Sequence, residues 1–185
     1  MGSPALKGLK MENPETTIGV FEDHRGAENA VKKLTAGGFA MKQLTVVGKG
    51  YHTEENVVGF YNTGDRVKFW GKRGAFWGGL WGLFFGGLFM SIPVVGHVII
   101  LGYLASMVFS GVETAVVAGG LSALGAAMFS IGIPKDSVIQ YETALKADNF
   151  LVMVHGTAEE AVHARAILGI EKPLRLDAHA GALAA

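Results

Sequence analysis

From Gly74 to Val112 the chain runs for 39 residues without an Asp, Glu, Lys or Arg. Glu113 interrupts, and Thr114 to Ile133 gives 20 more uncharged residues. Such a stretch is stable in an interior or in lipid, where about 20 predominantly apolar residues cross the hydrocarbon core as a helix. Polar sequence flanks it on both sides, so residues 74–133 read as a hydrophobic insert in a soluble fold.

The insert opens with GAFWGGLWGLFFGG, Gly74 to Gly87, in which six of 14 residues are glycine. Glycine costs a helix about 1 kcal/mol relative to alanine. Yet Gly74, Gly78, Gly82 and Gly86 recur every four residues, which places them along one helix face. A bare face lets another backbone approach closely, a main source of helix association in lipid. Phe76, Trp77, Trp81, Phe84 and Phe85 cover the other faces. Gly111, Ala115, Gly119 and Ala123 repeat the spacing. The two rows predict a glycine-zipper helical hairpin, packed within the chain or between copies.

Between the rows lies SIPVVGHVIILGYLASMVFS, broken by Pro93 and Gly96. Three crossings would leave the flanking halves on opposite sides of a membrane, unable to share a sheet. Two crossings, 74–92 and 114–133, are therefore predicted, with 93–112 re-entrant or near the far surface. Arg66, Lys68, Lys72 and Arg73 cluster before the first crossing and mark the membrane interface, while the far loop has no Lys or Arg. The positive-inside rule then puts the soluble part in the cytoplasm, at the inner membrane. The alternative is a cytoplasmic closed oligomer that buries the same surface between copies.

The flanking halves look alike. Thr16–Phe21 reads as a strand, GAENAVKKLTAGGF as a helix with Ala27, Ala30, Val31 and Leu34 on one face and Gly37-Gly38 at its end, and KQLTVVGKG as a strand centred on Leu44 to Val47. After the insert, Phe150–Val154 reads as a strand. Thr157 to Glu160 forms a capping box for a helix to about Leu168, and Leu174–Asp177 is a short final strand. An offset of 131 aligns Ala27-Glu28 with Ala158-Glu159 and His24 with His155. A duplicated βαβ unit predicts an α+β, ferredoxin-like split βαβ fold, with four strands packed on one side against two helices. One more helix, KDSVIQYETALKADN, has a capping-box pattern at Ser137 and Gln140 and an apolar stripe at Val138, Tyr141 and Leu145. It is expected across the sheet or at the membrane surface. The division that follows is a flexible N-terminus at 1–15, a discontinuous soluble domain at 16–73 and 134–177, the insert at 74–133 and a flexible tail at 178–185.

IPVVGHVIILGYLA, a small-residue run, and then GIPKDSVIQYETALKADNFLVMVHG resemble the bacterial general stress proteins that carry a glycine-zipper insert. The resemblance covers roughly Thr16 to Gly156. It is most specific at Gly132-Ile133-Pro134, Tyr141-Glu142 and the strand at Leu151. The chain departs from the family in its many aromatics and in His97, where a proline is usual. The resemblance implies a stress-associated, membrane or self-assembling protein, and brings no catalytic motif.

Composition narrows the chemistry. Lys plus Arg balance Asp plus Glu at 16 each, so no global basic excess favours a nucleic-acid partner. Without cysteine there is no thiol or disulfide chemistry. No nucleophile–base–acid set, phosphate loop, cofactor motif or metal-ligand cluster is read, so the chain is expected not to be an enzyme. His24 and His155 could be metal ligands only if the fold joined them. Antiparallel neighbouring strands place them at opposite ends, as turn residues. His97 and Glu113, ionisable groups among apolar ones, read either as a proton- or cation-handling pair or as groups near the far surface. The leading expectation is a self-associating, membrane-associated stress-type protein with itself and lipid as partners. The alternatives are a small oligomeric channel or a ligand-sensing module.

Overall fold

The computed structural model describes residues 14–49, 88–92, 96–109 and 122–181 of the chain. In chain order, β1 (Glu15–Phe21) leads to α1 (His24–Ala36), a 3-10 turn (Met41–Gln43) and β2 (Leu44–Lys49). β3 (Leu88–Ile92), β4 (Gly96–Gly102), α2 (Tyr103–Phe109), α3 (Ala123–Ser130) and α4 (Lys135–Lys146) follow. β5 (Phe150–Gly156), α5 (Ala158–Ile170) and β6 (Arg175–Ala180) close the fold.

Local chemistry explains where the helices start and stop. Asp23 caps α1, its Oδ1 accepting from the Gly26 N–H at 2.8 Å. The capping box of α5 is present: Thr157 Oγ1 accepts from the Glu160 N–H at 3.2 Å and Glu160 Oε2 from the Thr157 N–H at 2.8 Å. At the C-termini, one device recurs. Gly38 (φ 95°) lets the Phe39 N–H reach Leu34 O and its own N–H reach Thr35 O. Gly132 (φ 97°) does the same for α3, with the Ile133 N–H on Met128 O and its own on Phe129 O. These paired bonds satisfy carbonyls that a helix end leaves open. They also give the Gly132-Ile133-Pro134 run a physical role: Gly132 closes α3, Ile133 is fully buried and Pro134 is the N-cap of α4. That N-cap corrects the capping box expected at Ser137, since α4 has no side-chain cap.

Among the described residues six strands form one sheet in the order β3-β4-β2-β5-β1-β6, every neighbouring pair antiparallel. The α+β class expected from the sequence is what the structure shows. Helices cover both faces. On one, α1 and α5 bury Ala27, Val31, Leu34, Ala164 and Leu168 against Leu44, Val46, Leu101 and Val152. On the other, α2, α3 and α4 bury Leu104, Leu124, Met128, Val138, Tyr141 and Leu145 against Ile18, Val47, Ile100 and Met153. Four strands with helices on one side therefore become six strands between two helical layers. α4 lies across the sheet, one of its two expected positions.

Two helices of the second layer, α2 and α3, and the strands β3 and β4 come from the region 74–133 expected as the insert, which corrects the expected crossings. Val98 to Leu101, placed in a re-entrant segment, lie buried in β4, whose Val47↔Ile100 and Lys49↔Val98 pairs join it to β2. Residues 88–92, the end of the first crossing, are strand β3. Residues 123–130, within the second crossing, are an eight-residue helix whose Leu124 to Met128 are all buried. Among the described residues no helix is long and apolar enough to cross a membrane. Two further corrections concern the soluble halves. The buried residues of α1 and α5 superpose at an offset of 134 (Ala27 on Ala161, Ala30 on Ala164, Leu34 on Leu168), rather than 131. And β6 carries the final strand through Ala178, His179 and Ala180, which were read as tail.

Gly102 turns β4 into α2 at φ 92°, and a Cβ there would lie 2.0 Å from Leu44 O. At Gly38 (φ 95°) nothing stands within 4 Å of the same atom. Gly38→Ala is therefore expected to cost only the backbone strain, about 1–2 kcal/mol. Gly102→Ala adds a backbone clash and should cost at least about 3 kcal/mol. Urea denaturation of both variants checks the difference.

Candidate functional site

Two polar clusters are set into the α2–α4 side of the sheet. The first forms where β2, β5 and β1 run side by side. His155 on the central strand β5 points its Nδ1 at Thr16 Oγ1 of β1 and its Nε2 at Thr45 Oγ1 of β2, each at 3.1 Å. Thr45 Oγ1 also accepts the Leu104 N–H at 3.1 Å, one of the open donors at the start of α2. Thr45 thus bonds the ring and the helix start at once, and each ring nitrogen of His155 has a hydroxyl partner. Tyr103 closes the cluster, its ring centroid 4.6 Å from that of His155. Burial pushes the His155 pKa down to about 4, because a desolvated imidazolium is costly.

The second cluster joins α4 to the edge of the sheet. The fully buried Tyr141 donates its hydroxyl to Asp177 Oδ2 at 2.9 Å and accepts from His179 Nε2 at 2.7 Å. Arg175 pairs with Asp177 and holds its guanidinium 5.6 Å from the centre of the Tyr141 ring. Burial foremost, then the hydrogen bond to Asp177 and its charge, push the phenol pKa well up, with Arg175 opposing. Burial also lowers the His179 pKa, against the pull of Asp177. Beside it, Ser122 Oγ donates to Glu142 Oε1 while accepting the Gly125 N–H at 3.0 Å, so Glu142 orients the cap of α3. The Tyr141-Glu142 pair thus fastens α4 to β6 with one residue and to α3 with the other.

Chemically, these groups hold elements together. A phenol with a raised pKa is a poor nucleophile and a poor proton donor, and both His155 nitrogens are already engaged. Among the described residues no group of three or more His, Asp or Glu could hold a metal ion.

The residues singled out from sequence fall elsewhere. His24 begins α1, just beyond Phe21, which pairs with Phe150, whereas His155 pairs with Thr16 near the other end of the same ladder. The two histidines are not brought together. His97 lies in β4, paired with Ser91 of β3, and Glu113 lies outside the described residues. So do Gly74, Gly78, Gly82, Gly86, Gly111, Ala115 and Gly119, and Arg66, Lys68, Lys72 and Arg73. Ala123 begins α3, directly after its cap Ser122. Sequence reasoning missed Thr16, Thr45, Arg175, Asp177 and His179. A signal existed for the last three, since Arg-x-Asp-x-His has the period of two that marks one face of a strand. The two threonines give no such signal, because their partner is 110 or more residues away.

Two outcomes are expected. The His155 pKa lies below its ordinary 6.5, so the fold favours the neutral ring. This stabilisation is complete above pH 6.5 and is lost as pH falls toward 4. With the pKa moved from 6.5 to about 4, it amounts to roughly 3 kcal/mol. Denaturation at pH 7 and pH 4 should show that loss, and His155→Gln should flatten it. Tyr141→Phe leaves Asp177 and His179 without their shared partner and should cost about 1–3 kcal/mol at pH 7, read by the same denaturation.

Residues 16–96 match the model of a family described as the heat induced stress protein YflT domain. The matched span runs from β1 through α1, β2 and β3 to Gly96, the first residue of β4. No curated protein and no solved structure matches the chain. Over that span the chain is similar to a heat-induced stress protein domain, which supports its resemblance to the bacterial general stress proteins.

Proposed function

We propose that the chain is a non-enzymatic, self-associating stress-type protein, whose glycine rows join copies into a closed homo-oligomer. One observation carries this reading. The fold takes residues 88–92, 96–109 and 122–133 from the uncharged region, and among the residues not described the longest uncharged run is Gly74–Gly87, 14 residues. As a helix that run would reach about 21 Å, short of the roughly 30 Å hydrocarbon core of a bilayer. The glycine rows at Gly74, Gly78, Gly82 and Gly86 and at Gly111, Ala115 and Gly119 still call for a close-packed backbone partner. Other copies supply it without requiring a crossing, which makes a cytoplasmic particle the favoured location over the inner membrane.

The head of each copy is read as a ferredoxin-like, split βαβ core with β3 and β4 added at one edge. Supporting this, β5 lies between β1 and β2, and β1 lies between β5 and β6. Each strand–helix–strand unit is thus split by a strand of the other. The channel reading has less support, since β4 holds His97 in a sheet ladder opposite Ser91.

Sedimentation without detergent tests the proposal. A discrete particle well above the 19.5 kDa of one chain is expected. Gly78→Leu and Gly82→Leu should each shift it toward smaller mass with unchanged far-UV circular dichroism. A detergent-free monomer, or a protein soluble only with lipid, would overturn it.

A further inference from the structure

β6 ends the sheet, and no described strand lies beyond it. Its pairing with β1 shows which way its backbone faces. The Gly181 N–H donates to Pro14 O at 2.5 Å. In an antiparallel ladder hydrogen-bonded pairs alternate, so the bonded pairs are His179↔Thr16 and Asp177↔Ile18, while just before β6 Val20 O accepts the Leu174 N–H at 2.8 Å. The amides and carbonyls of Leu176 and Ala178 therefore turn outward, where a further strand would lie. Leu174, immediately before β6, is a large apolar side chain left 60% exposed.

We propose that β6 is a homotypic pairing edge, on which a second copy docks its own β6 antiparallel with Leu176 opposite Leu176 across a two-fold axis. Charge selects both the partner and the register. With Leu176 at the centre, Arg175 of each copy stands opposite Asp177 of the other. Arg175 and Asp177 already pair within the chain, so four charges alternate across the axis. Opposite charges on facing strands stabilise and like charges destabilise. Moving the axis to Asp177 would set that carboxylate against itself. Moving it to Ala178 would set Asp177 against His179, which burial holds toward its neutral form, and would leave Arg175 without a charged partner. The chosen register also stacks Leu176 on Leu176 and sets Leu174 opposite Ala178. This interface is separate from the glycine rows, and the two together would link copies in more than one direction.

The chain has no cysteine, so single cysteines report the register cleanly. Leu176→Cys places two sulfurs across a bonded antiparallel pair, with Cα atoms about 5.5 Å apart, within disulfide reach. Two copies of position 178 would be four residues apart along the strands, about 13 Å, and out of reach. Under mild oxidation of the full chain, Leu176→Cys is expected to form covalent dimer at least about tenfold faster than Ala178→Cys. The same result is expected in a Gly82→Leu background, which separates this contact from the glycine rows. Independently, Ala178→Pro removes one outward N–H and spares the ladder to β1; it should halve the sedimenting mass of the Gly82→Leu protein with circular dichroism unchanged. Equal linking at 176 and 178, loss of linking in the Gly82→Leu background, or unchanged mass in Ala178→Pro would each overturn the proposal.

Discussion

Everything in this fold depends on a sheet that is apolar on both faces. β4, β2, β5 and β1 carry buried residues at successive positions, including Val98 to Leu101 and Phe150 to Val154. Such strands cannot leave either face in water, so each face must acquire a helical layer. α1 and α5 come from the two strand–helix–strand units themselves and cover one face. The other face needs α2, α3 and α4, and the chain supplies them from its middle. Burial of that second face ties residues 96–109 and 122–146 to strands that lie at both ends of the sequence.

Specific polar contacts then decide how the second layer sits. α2 is fixed at its start by Thr45, itself held by His155, which bonds across three adjacent strands. α3 is fixed by Ser122 and Glu142 at one end and by the left-handed Gly132 at the other. α4 is fixed by Tyr141 on Asp177 and His179. Apolar burial gives these helices their free energy but little orientation, since it is non-directional. Hydrogen bonds with defined donors and acceptors supply the orientation. Two helices close with non-glycine residues in left-handed conformation, Asp148 at φ 63° after α4 and Lys172 at φ 50° after α5. Asp148 is also ion-paired with Lys49 of β2 at 2.8 Å, which fastens the end of α4 to the sheet.

Amphipathic elements were legible. α1 shows its buried face as Ala27, Ala30, Val31 and Leu34, and the capping box at Thr157 and Glu160 marks the start of α5 in the residues alone. β4 was not legible in the same way. An uninterrupted Val98-Ile-Ile-Leu101 run has no period, so it suits a strand buried on both faces as well as a segment in lipid. α3 failed for a related reason. Its consecutive burial from Leu124 to Met128 erases the polar face that would separate a core helix from a membrane one. The polar clusters were hidden because their members are distant in sequence: Tyr141 meets Asp177 36 residues on, and Thr16 meets His155 across 139.

The residues alone determined the local order of strand, helix and strand at each end, the stop at Gly37-Gly38, and the apolar character of the middle. Only the tertiary structure decided what covers that apolar sequence. Hydrophobic burial is satisfied by any non-aqueous neighbour, and hydropathy cannot distinguish a lipid tail from the side of a sheet. The choice was made by hydrogen-bonding geometry. β4 found in β2 an antiparallel partner for its backbone, and the helices that followed it found an uncovered apolar face.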